Sequence, residues 1–128
     1  MGENEIGTAV IETAISVHRR LGPGLLESVY EAVLQHELQQ RGLQAERQVI
    51  IPFNYQGIHF DEGFRADLIV AGKVIVEVKS VETVSPAHKK QLLTYLRLAN
   101  LRLGYLLNFG AATMKEGITR VVNALPEE

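Results

Sequence analysis

The chain contains neither cysteine nor tryptophan, and it has no long apolar run. Without cysteine it can form no disulfide, no thiolate zinc site and no thiol nucleophile. The N-terminal segment MGENEIGTAV lacks a basic stretch followed by an apolar one, so we expect no secretory signal. No segment approaches the roughly 18 apolar residues that a membrane helix requires. A cytoplasmic location is therefore the default expectation.

An excess of charge of either sign is also missing. The chain has 13 basic and 15 acidic side chains, which gives a formal charge of -2. This balance excludes a strongly basic nucleic-acid coat, but not an enzyme that meets phosphate through a bound metal in a local cleft. The length of 128 residues and the hydrophobic content of 46% are typical of one globular domain. We therefore expect residues 1–128 to form a single domain.

Hydrophobic periodicity divides the chain into helices and strands. Three amphipathic segments predict helices over residues 4–21, 25–41 and 85–100. Extended segments predict five strands over residues 47–55, 58–70, 73–80, 103–109 and 118–122. The order α-α-β-β-β-α-β-β predicts an α/β fold of the α+β type, with helices packed on a mixed sheet. Pro52 predicts that the first strand lies at a sheet edge or carries a bulge.

The segment RADLIVAGKVIVEVKS, residues 65–80, places three charged side chains within two apolar strands. Side chains alternate between the faces of a strand, and the even-numbered residues here are apolar. If the apolar faces of the two strands lie on the same side of the sheet, the residue numbers of each directly opposed pair must add up to an even number. This excludes a two-residue turn at Ala71-Gly72 and favours a three-residue loop with Gly72 in the left-handed conformation. In that register Asp67, Glu77 and Lys79 share one face, and Arg65 is predicted to lie on the same face.

Two interpretations of this charged face remain open at this point. It is either an ordinary solvated strand face or a site that needs a counter-charge. Ile69 and Ile75 lie on the same face, which indicates that it is partly covered. A divalent cation such as Mg²⁺, which prefers carboxylate oxygens, would supply the counter-charge for two converging acids.

Three motifs then suggest a family. Asp67, nine intervening residues and Glu77-Val78-Lys79 resemble the acid, hairpin and Glu-x-Lys pattern of the PD-(D/E)xK nuclease superfamily, although Ala66 replaces the proline. GLLESVY, residues 24–30, resembles the GxxExxY signature of a family of small bacterial predicted nucleases. QLLTY, residues 91–95, is similar to the QxxxY motif of the RecB-like branch. The resemblance implies a restriction-endonuclease-like core αβββαβ, with an extra N-terminal helix and a C-terminal strand.

The same resemblance implies a divalent-metal-dependent nuclease that hydrolyses phosphodiester bonds, of DNA rather than RNA. It implies that Mg²⁺ or Mn²⁺ is bound by Asp67, Glu77 and the backbone carbonyl of Val78, with Glu27 reaching the metal directly or through water. Lys79 would then orient the attacking water or stabilise the pentavalent phosphate. An ammonium group beside two carboxylates favours this electrostatic role over that of a base.

Four further residues are implied as contacts to nucleic acid: Gln91, Tyr95, Tyr30 and Arg65. Each has a structural alternative. Gln91 and Tyr95 are four apart and would share a helix face, which is also the pattern of a polar face with a packed tyrosine. Tyr30 would either contact nucleic acid or pack in the core. Glu27 would either approach the metal or offset the helix dipole in a first turn.

Two other functions are compatible with the sequence. The first is a catalytically silent module that has the nuclease fold and binds nucleic acid or a protein partner. The second is a homodimer whose function is chiefly an interface, with the edge strand or the first helix as the contact surface. The net charge of -2 and the lack of an additional specificity domain motivate the binding alternative.

Overall fold

The computed structural model describes residues 1–126, which form four helices and five strands. The helices are α1 (Glu3–Leu21), α2 (Glu27–Gln40), α3 (Pro86–Ala99) and the single turn α4 (Met114–Gly117). The strands are β1 (Ala45–Tyr55), β2 (Ile58–Val70), β3 (Val74–Lys79), β4 (Leu103–Asn108) and β5 (Ile118–Val122). The sheet has the order β1-β2-β3-β4-β5, with β3 and β4 parallel and the other neighbours antiparallel. The predicted mixed α+β fold is confirmed.

Helices cover both faces of the sheet. On one face α1 and α2 pack against the central strands through a cluster that includes Val10, Leu34 and Val76. On the other face α3 packs against the sheet through a second cluster that includes Leu92 and Ile75. Burial of this apolar surface is the main source of folding free energy. Because no side of the central strands faces water, β3 and β4 are apolar at nearly every position.

Local signals place the helix ends. Ser85 is the N-cap of α3, where its hydroxyl accepts a hydrogen bond from the Ala87 amide at 3.1 Å, and Pro86 is the first helical residue, as predicted. No sequence pattern indicated α4, because four residues are too few for a helical period. The Thr113 hydroxyl caps this turn by accepting from the Glu116 amide at 3.3 Å.

The hairpin between β2 and β3 has the predicted register. Val70 pairs with Val74 and Ile69 with Ile75, so three residues form the loop. Gly72 is left-handed with φ 67°, and Ala71 is left-handed as well with φ 52°. The two-residue turn is thereby excluded.

The prediction for Pro52 is confirmed in both of its forms. The strand that contains it, β1, lies at the edge of the sheet. Its pairing with β2 also shifts register between Ile51 and Phe53, at the proline. A proline has no amide hydrogen to donate, so it is accommodated where the ladder is interrupted.

The side-chain alternation of β2 breaks at Asp67, which corrects one prediction. Leu68 packs in the cluster on the α1 and α2 side, whereas Ala66 packs with α3 on the opposite side. Phe64 also packs on the α3 side. Residues 64 and 66 therefore do not share a face with residues 68 and 70, although their parity predicted it. Asp67 lies where the strand changes sides.

The neighbouring strand changes sides at the same place. Arg47, the partner of Leu68, reaches α2, whereas Val49, the partner of Ala66, packs on the α3 side. Gln48 lies between them and adopts the left-handed conformation with φ 52°. We call this paired irregularity, Gln48 in β1 and Asp67 in β2, the face switch.

Among the described residues, we find no helix with both the length and the apolar character that crossing a membrane requires.

Candidate active site

Asp67 and Glu77 continue the hydrogen bonding between β2 and β3 beyond the point where the backbone ladder ends. The last paired residues of that ladder are Leu68 and Val76. Beyond them the Asp67 amide donates to Glu77 Oε2 at 2.7 Å, and the Val78 amide donates to Asp67 Oδ2 at 2.8 Å. Each carboxylate thus accepts a hydrogen bond from the backbone of the opposite strand. Asp67 and Glu77 are brought together, as the hairpin register predicted.

Each acid keeps one oxygen for another partner. Glu77 is only 6% exposed, and Asp67 is partly buried. Asp67 Oδ1 and Glu77 Oε1 accept no hydrogen bond from residues 1–126. Because no buried side-chain nitrogen or oxygen in that part of the chain lacks a partner, both free oxygens retain contact with solvent. Each acid therefore keeps one carboxylate oxygen in contact with solvent.

The surroundings disfavour negative charge on both acids. Burial, followed by the nearby charge of Asp67, raises the pKa of Glu77 to about 8. Burial also raises the pKa of Asp67, and the charges of Glu31 and Glu27 act in the same direction. The Val78 amide and the Lys79 ammonium oppose this rise in the Asp67 pKa. In the absence of a cation, the pair therefore holds protons at higher pH than free carboxyl groups would.

Lys79 ends β3, two residues beyond Glu77 and partly buried. Its backbone is fixed in the sheet, because it pairs with Asn108 and its carbonyl accepts from the Phe109 amide at 2.8 Å. Its positive charge lowers the pKa of both acids against the effect of burial. Lys79 thus lies within electrostatic range of Asp67 and Glu77.

Glu27 is the first residue of α2 and is exposed. The start of this helix is tied to the end of β3, because Ser80 Oγ donates to the Leu25 carbonyl at 2.8 Å. The negative charge of Glu27 contributes the smallest of the effects on the Asp67 pKa. Within residues 1–126 no three His, Cys, Asp or Glu side chains are grouped so that they could hold a metal ion. Glu27 is near the acid pair but is not assembled with it.

Tyr30 is part of the core, which corrects its prediction as a nucleic-acid contact. It is completely buried and stacks on Phe109 with ring centroids 4.3 Å apart. Its hydroxyl donates to the Gly22 carbonyl and accepts from the Leu25 amide at 3.1 Å. Tyr30 thereby closes the connection between α1 and α2, within which Gly24 adopts φ 105°. In the GLLESVY segment the glycine and the tyrosine shape the turn that presents Glu27.

Tyr95 lies close to the acids from the α3 side. Its ring stacks on Phe64 with centroids 4.1 Å apart, and it is partly buried. Burial raises the pKa of Tyr95, and the charges of Glu77 and Asp67 raise it further. Gln91 is exposed one turn earlier on the same helix face. Tyr95 thus lies within electrostatic range of the acid pair, on the helix face that also carries Gln91.

Arg65 does not share the side of the sheet that its parity predicted. It is exposed and lies between Phe64 and Ala66, both of which pack on the α3 side. Because neighbouring strand residues alternate, the Arg65 side chain projects away from α3 and hence from Tyr95. The face switch at Asp67 is the physical reason, since parity cannot be carried across it.

Glu31 is a site residue that the sequence analysis missed. It is only 4% exposed, and its Oε1 accepts hydrogen bonds from Arg47 Nε at 3.0 Å and from Gln48 Nε2 at 2.8 Å. Its charge raises the pKa of both Asp67 and Glu77. A usable signal was present, because Glu31 is an acid on the buried face of α2 and one turn after Glu27.

Comparisons with known proteins agree with this geometry. No curated protein matches the chain. A solved structure, described as the crystal structure of SSO0001, is 23% identical with a TM-score of 0.54, and the match covers 78% of this chain and 52% of that one. This likeness shows a shared fold, and the chain spans about half the length of that protein. Residues 4–121 match the sequence profile of the PD-(D/E)XK nuclease superfamily. Nearly the whole described chain is thus included, and the protein belongs to the PD-(D/E)XK nuclease superfamily.

Proposed function

We propose that the protein is a divalent-metal-dependent nuclease that hydrolyses phosphodiester bonds, with DNA as its preferred substrate. One observation carries the proposal: the two side chains that accept the last hydrogen bonds between β2 and β3 are carboxylates. To join the two strands at this point, the Asp67 and Val78 amides need only hydrogen-bond acceptors. Asparagine and glutamine would accept those bonds without burying two like charges, which is unfavourable. Acids at both positions therefore support a role in binding a cation.

The donor set suits a hard cation. Asp67 Oδ1 and Glu77 Oε1 are oxygen ligands of the kind that Mg²⁺ and Mn²⁺ prefer, and Mg²⁺ usually keeps several waters beside one or two carboxylates. We include the Val78 carbonyl as a third ligand and Glu27 as a contact through water, consistent with its exposed position at the start of α2. Two acids with few further protein ligands match this pattern.

Each remaining side chain then has a role. When bound, the cation supplies charge neutralisation at the phosphate and a more acidic water. The Lys79 ammonium, two residues beyond Glu77, stabilises negative charge as it develops on the phosphate oxygens. Tyr95 and Gln91 on α3 position the nucleic acid beside the acids. Asp67 and Glu77 hold the site in the sheet through their backbone hydrogen bonds.

The test is cleavage of labelled DNA and RNA with Mg²⁺ or Mn²⁺. We compare the wild type with Asp67→Asn and Lys79→Met, and use Glu37→Gln as a matched control. Asp67→Asn keeps an acceptor for the Val78 amide but removes the charge. Loss of one charged group at such a site lowers the rate by about 10² to 10³-fold, whereas the control should be unaffected. Cleavage at wild-type rate by both site variants would exclude this function.

A second candidate is a nuclease-fold module that binds nucleic acid or a protein without cutting. The observation in its favour is that residues 1–126 bring no third acid into the Asp67–Glu77 pair. Tight retention of intact DNA in the presence of a chelator, with no product when Mn²⁺ is restored, would support it. A homodimer is compatible with either function, since the edge hairpin of β1 and β2 exposes Ile50, Tyr55, Ile58 and Phe60. Light scattering measures the association state.

A further inference from the structure

Glu31 is a buried acid that the proposed metal site does not use. A carboxylate that is 4% exposed is unfavourable unless it is paired and hydrogen-bonded. Both partners of its Oε1, Arg47 and Gln48, come from consecutive residues of β1. The pair of contacts therefore connects α2 to one particular point on the edge strand.

That point is the face switch. Gln48 has φ 52°, a conformation that side chains other than glycine adopt only when the surroundings hold them there. Gln48 is exposed, so packing does little to hold it. The hydrogen bond of 2.8 Å from its Nε2 to Glu31 supplies the restraint.

Opposite Gln48 in the sheet lies Asp67. The flanking pairs are Arg47 with Leu68 and Val49 with Ala66, so the backbone of Asp67 follows the reversal on β1. With this reversal in place, the Asp67 carboxylate accepts a hydrogen bond from the Val78 amide at 2.8 Å. We infer that Glu31 is a positioning residue, which fixes the face switch through Gln48 and thereby directs the Asp67 carboxylate toward β3.

Arg47 completes the arrangement. Its guanidinium bonds Glu31 at 3.0 Å and the Ser28 carbonyl at 3.4 Å, so it spans one turn of α2. Arg47, whose side chain is 33% exposed, forms an ion pair with Glu31 and offsets its negative charge near Asp67 and Glu77. Arg47 thus allows an acid to serve as the restraint without adding a full negative charge beside Asp67 and Glu77.

The amide of Val78 reports this positioning directly, because its acceptor is the Asp67 carboxylate. We measure its hydrogen exchange in the metal-free protein relative to the amides of β4. Glu31→Met keeps the size of the side chain but removes the acceptor, whereas Glu31→Gln keeps an acceptor oxygen. We expect about tenfold faster relative exchange at Val78 in Glu31→Met, the loss of roughly one hydrogen bond, with most protection restored in Glu31→Gln.

Two further variants complete the design. Gln48→Met keeps the length of the side chain and the unfavourable left-handed backbone but loses the bond to Glu31, so we expect faster exchange at Val78 as in Glu31→Met. Glu37→Gln removes an acid from the same helix, one that pairs with Arg20 at the surface at 3.7 Å, and should leave Val78 unchanged. Wild-type exchange at Val78 in both Glu31→Met and Gln48→Met would overturn the inference.

The effect on catalysis rests on the proposed function, and a second measurement separates the two. Calorimetric titration with Mn²⁺ should show about tenfold weaker binding in Glu31→Met, because the Asp67 carboxylate would no longer be held in place. If the wild type neither binds Mn²⁺ nor cleaves DNA, the proposed function fails. The exchange of the Val78 amide still decides whether Glu31 positions Asp67.

Discussion

At the scale of single residues, Asp67 and Glu77 each perform two tasks. One oxygen of each acid accepts a backbone hydrogen bond across the seam between β2 and β3, and the other faces solvent. The first task requires only an acceptor, whereas binding a cation, which we propose for the solvent-facing oxygen, requires a charge. Substitutions with an amide or with alanine separate these tasks.

We therefore expect Asp67→Asn and Asp67→Ala to differ in stability but not in activity. Both remove the charge and should lower the cleavage rate by about 10² to 10³-fold. Asp67→Ala also leaves the Val78 amide without its partner, which costs about 1 to 3 kcal/mol in the free energy of unfolding. Urea denaturation measures the difference, and equal stability of the two variants would contradict the role of Asp67 in closing the sheet.

Glu77 gives the metal-free protein a pH-dependent stability. Its pKa in the folded chain is about 8, against an ordinary 4.5, so the folded state holds the proton more tightly. The free energy of unfolding should therefore fall as pH rises from about 4.5 to about 8, by an amount on the order of 5 kcal/mol. Urea denaturation across this range measures the slope. Glu77→Gln should flatten it, as should saturating Mn²⁺, and an unchanged slope in Glu77→Gln would refute this source.

At the scale of elements, local chemistry was predictable and the face switch was not. Parity fixed the three-residue loop at Ala71, and Ser85 with Pro86 fixed the start of α3, because each depends on neighbouring residues alone. The face switch depends on Gln48 in a left-handed conformation, for which glutamine has no particular preference. Since parity was carried across Asp67, Arg65 was predicted on the wrong side.

The β2–β3 loop offers a stability prediction away from the site. Ala71 adopts φ 52°, where its Cβ is unfavourable and glycine is not. Ala71→Gly should therefore raise the free energy of unfolding by up to about 1 kcal/mol. This is a net value, because the entropy that glycine adds to the unfolded chain offsets part of the relieved strain. Thermal denaturation measures the change. Gly72→Ala, at φ 67°, is the matched control and should destabilise; stabilisation by both would show that the backbone conformation is not responsible.

At the scale of the whole molecule, the candidate site lies between β2 and β3, where helices approach it from both faces of the sheet. Glu31 approaches the acids from α2 and Tyr95 from α3, on opposite faces of the sheet. The order of motifs along the chain predicted which elements would meet. It did not predict Glu31, because its importance comes from burial and from partners on β1 that are 16 and 17 positions away.

The parallel pairing of β3 with β4 has a consequence for the growing chain. Residues 45–79 form a meander of adjacent antiparallel strands, whereas β4 joins only after the crossover through α3. The segment with Glu31, Asp67 and Glu77 therefore leaves the ribosome before the segment with Gln91 and Tyr95. If strand pairing follows synthesis, the acid pair is assembled first, and α3 with Gln91 and Tyr95 is added to it. On the proposed function, a partly synthesised chain that lacks α3 therefore has the acids but not the side chains that we propose to position nucleic acid.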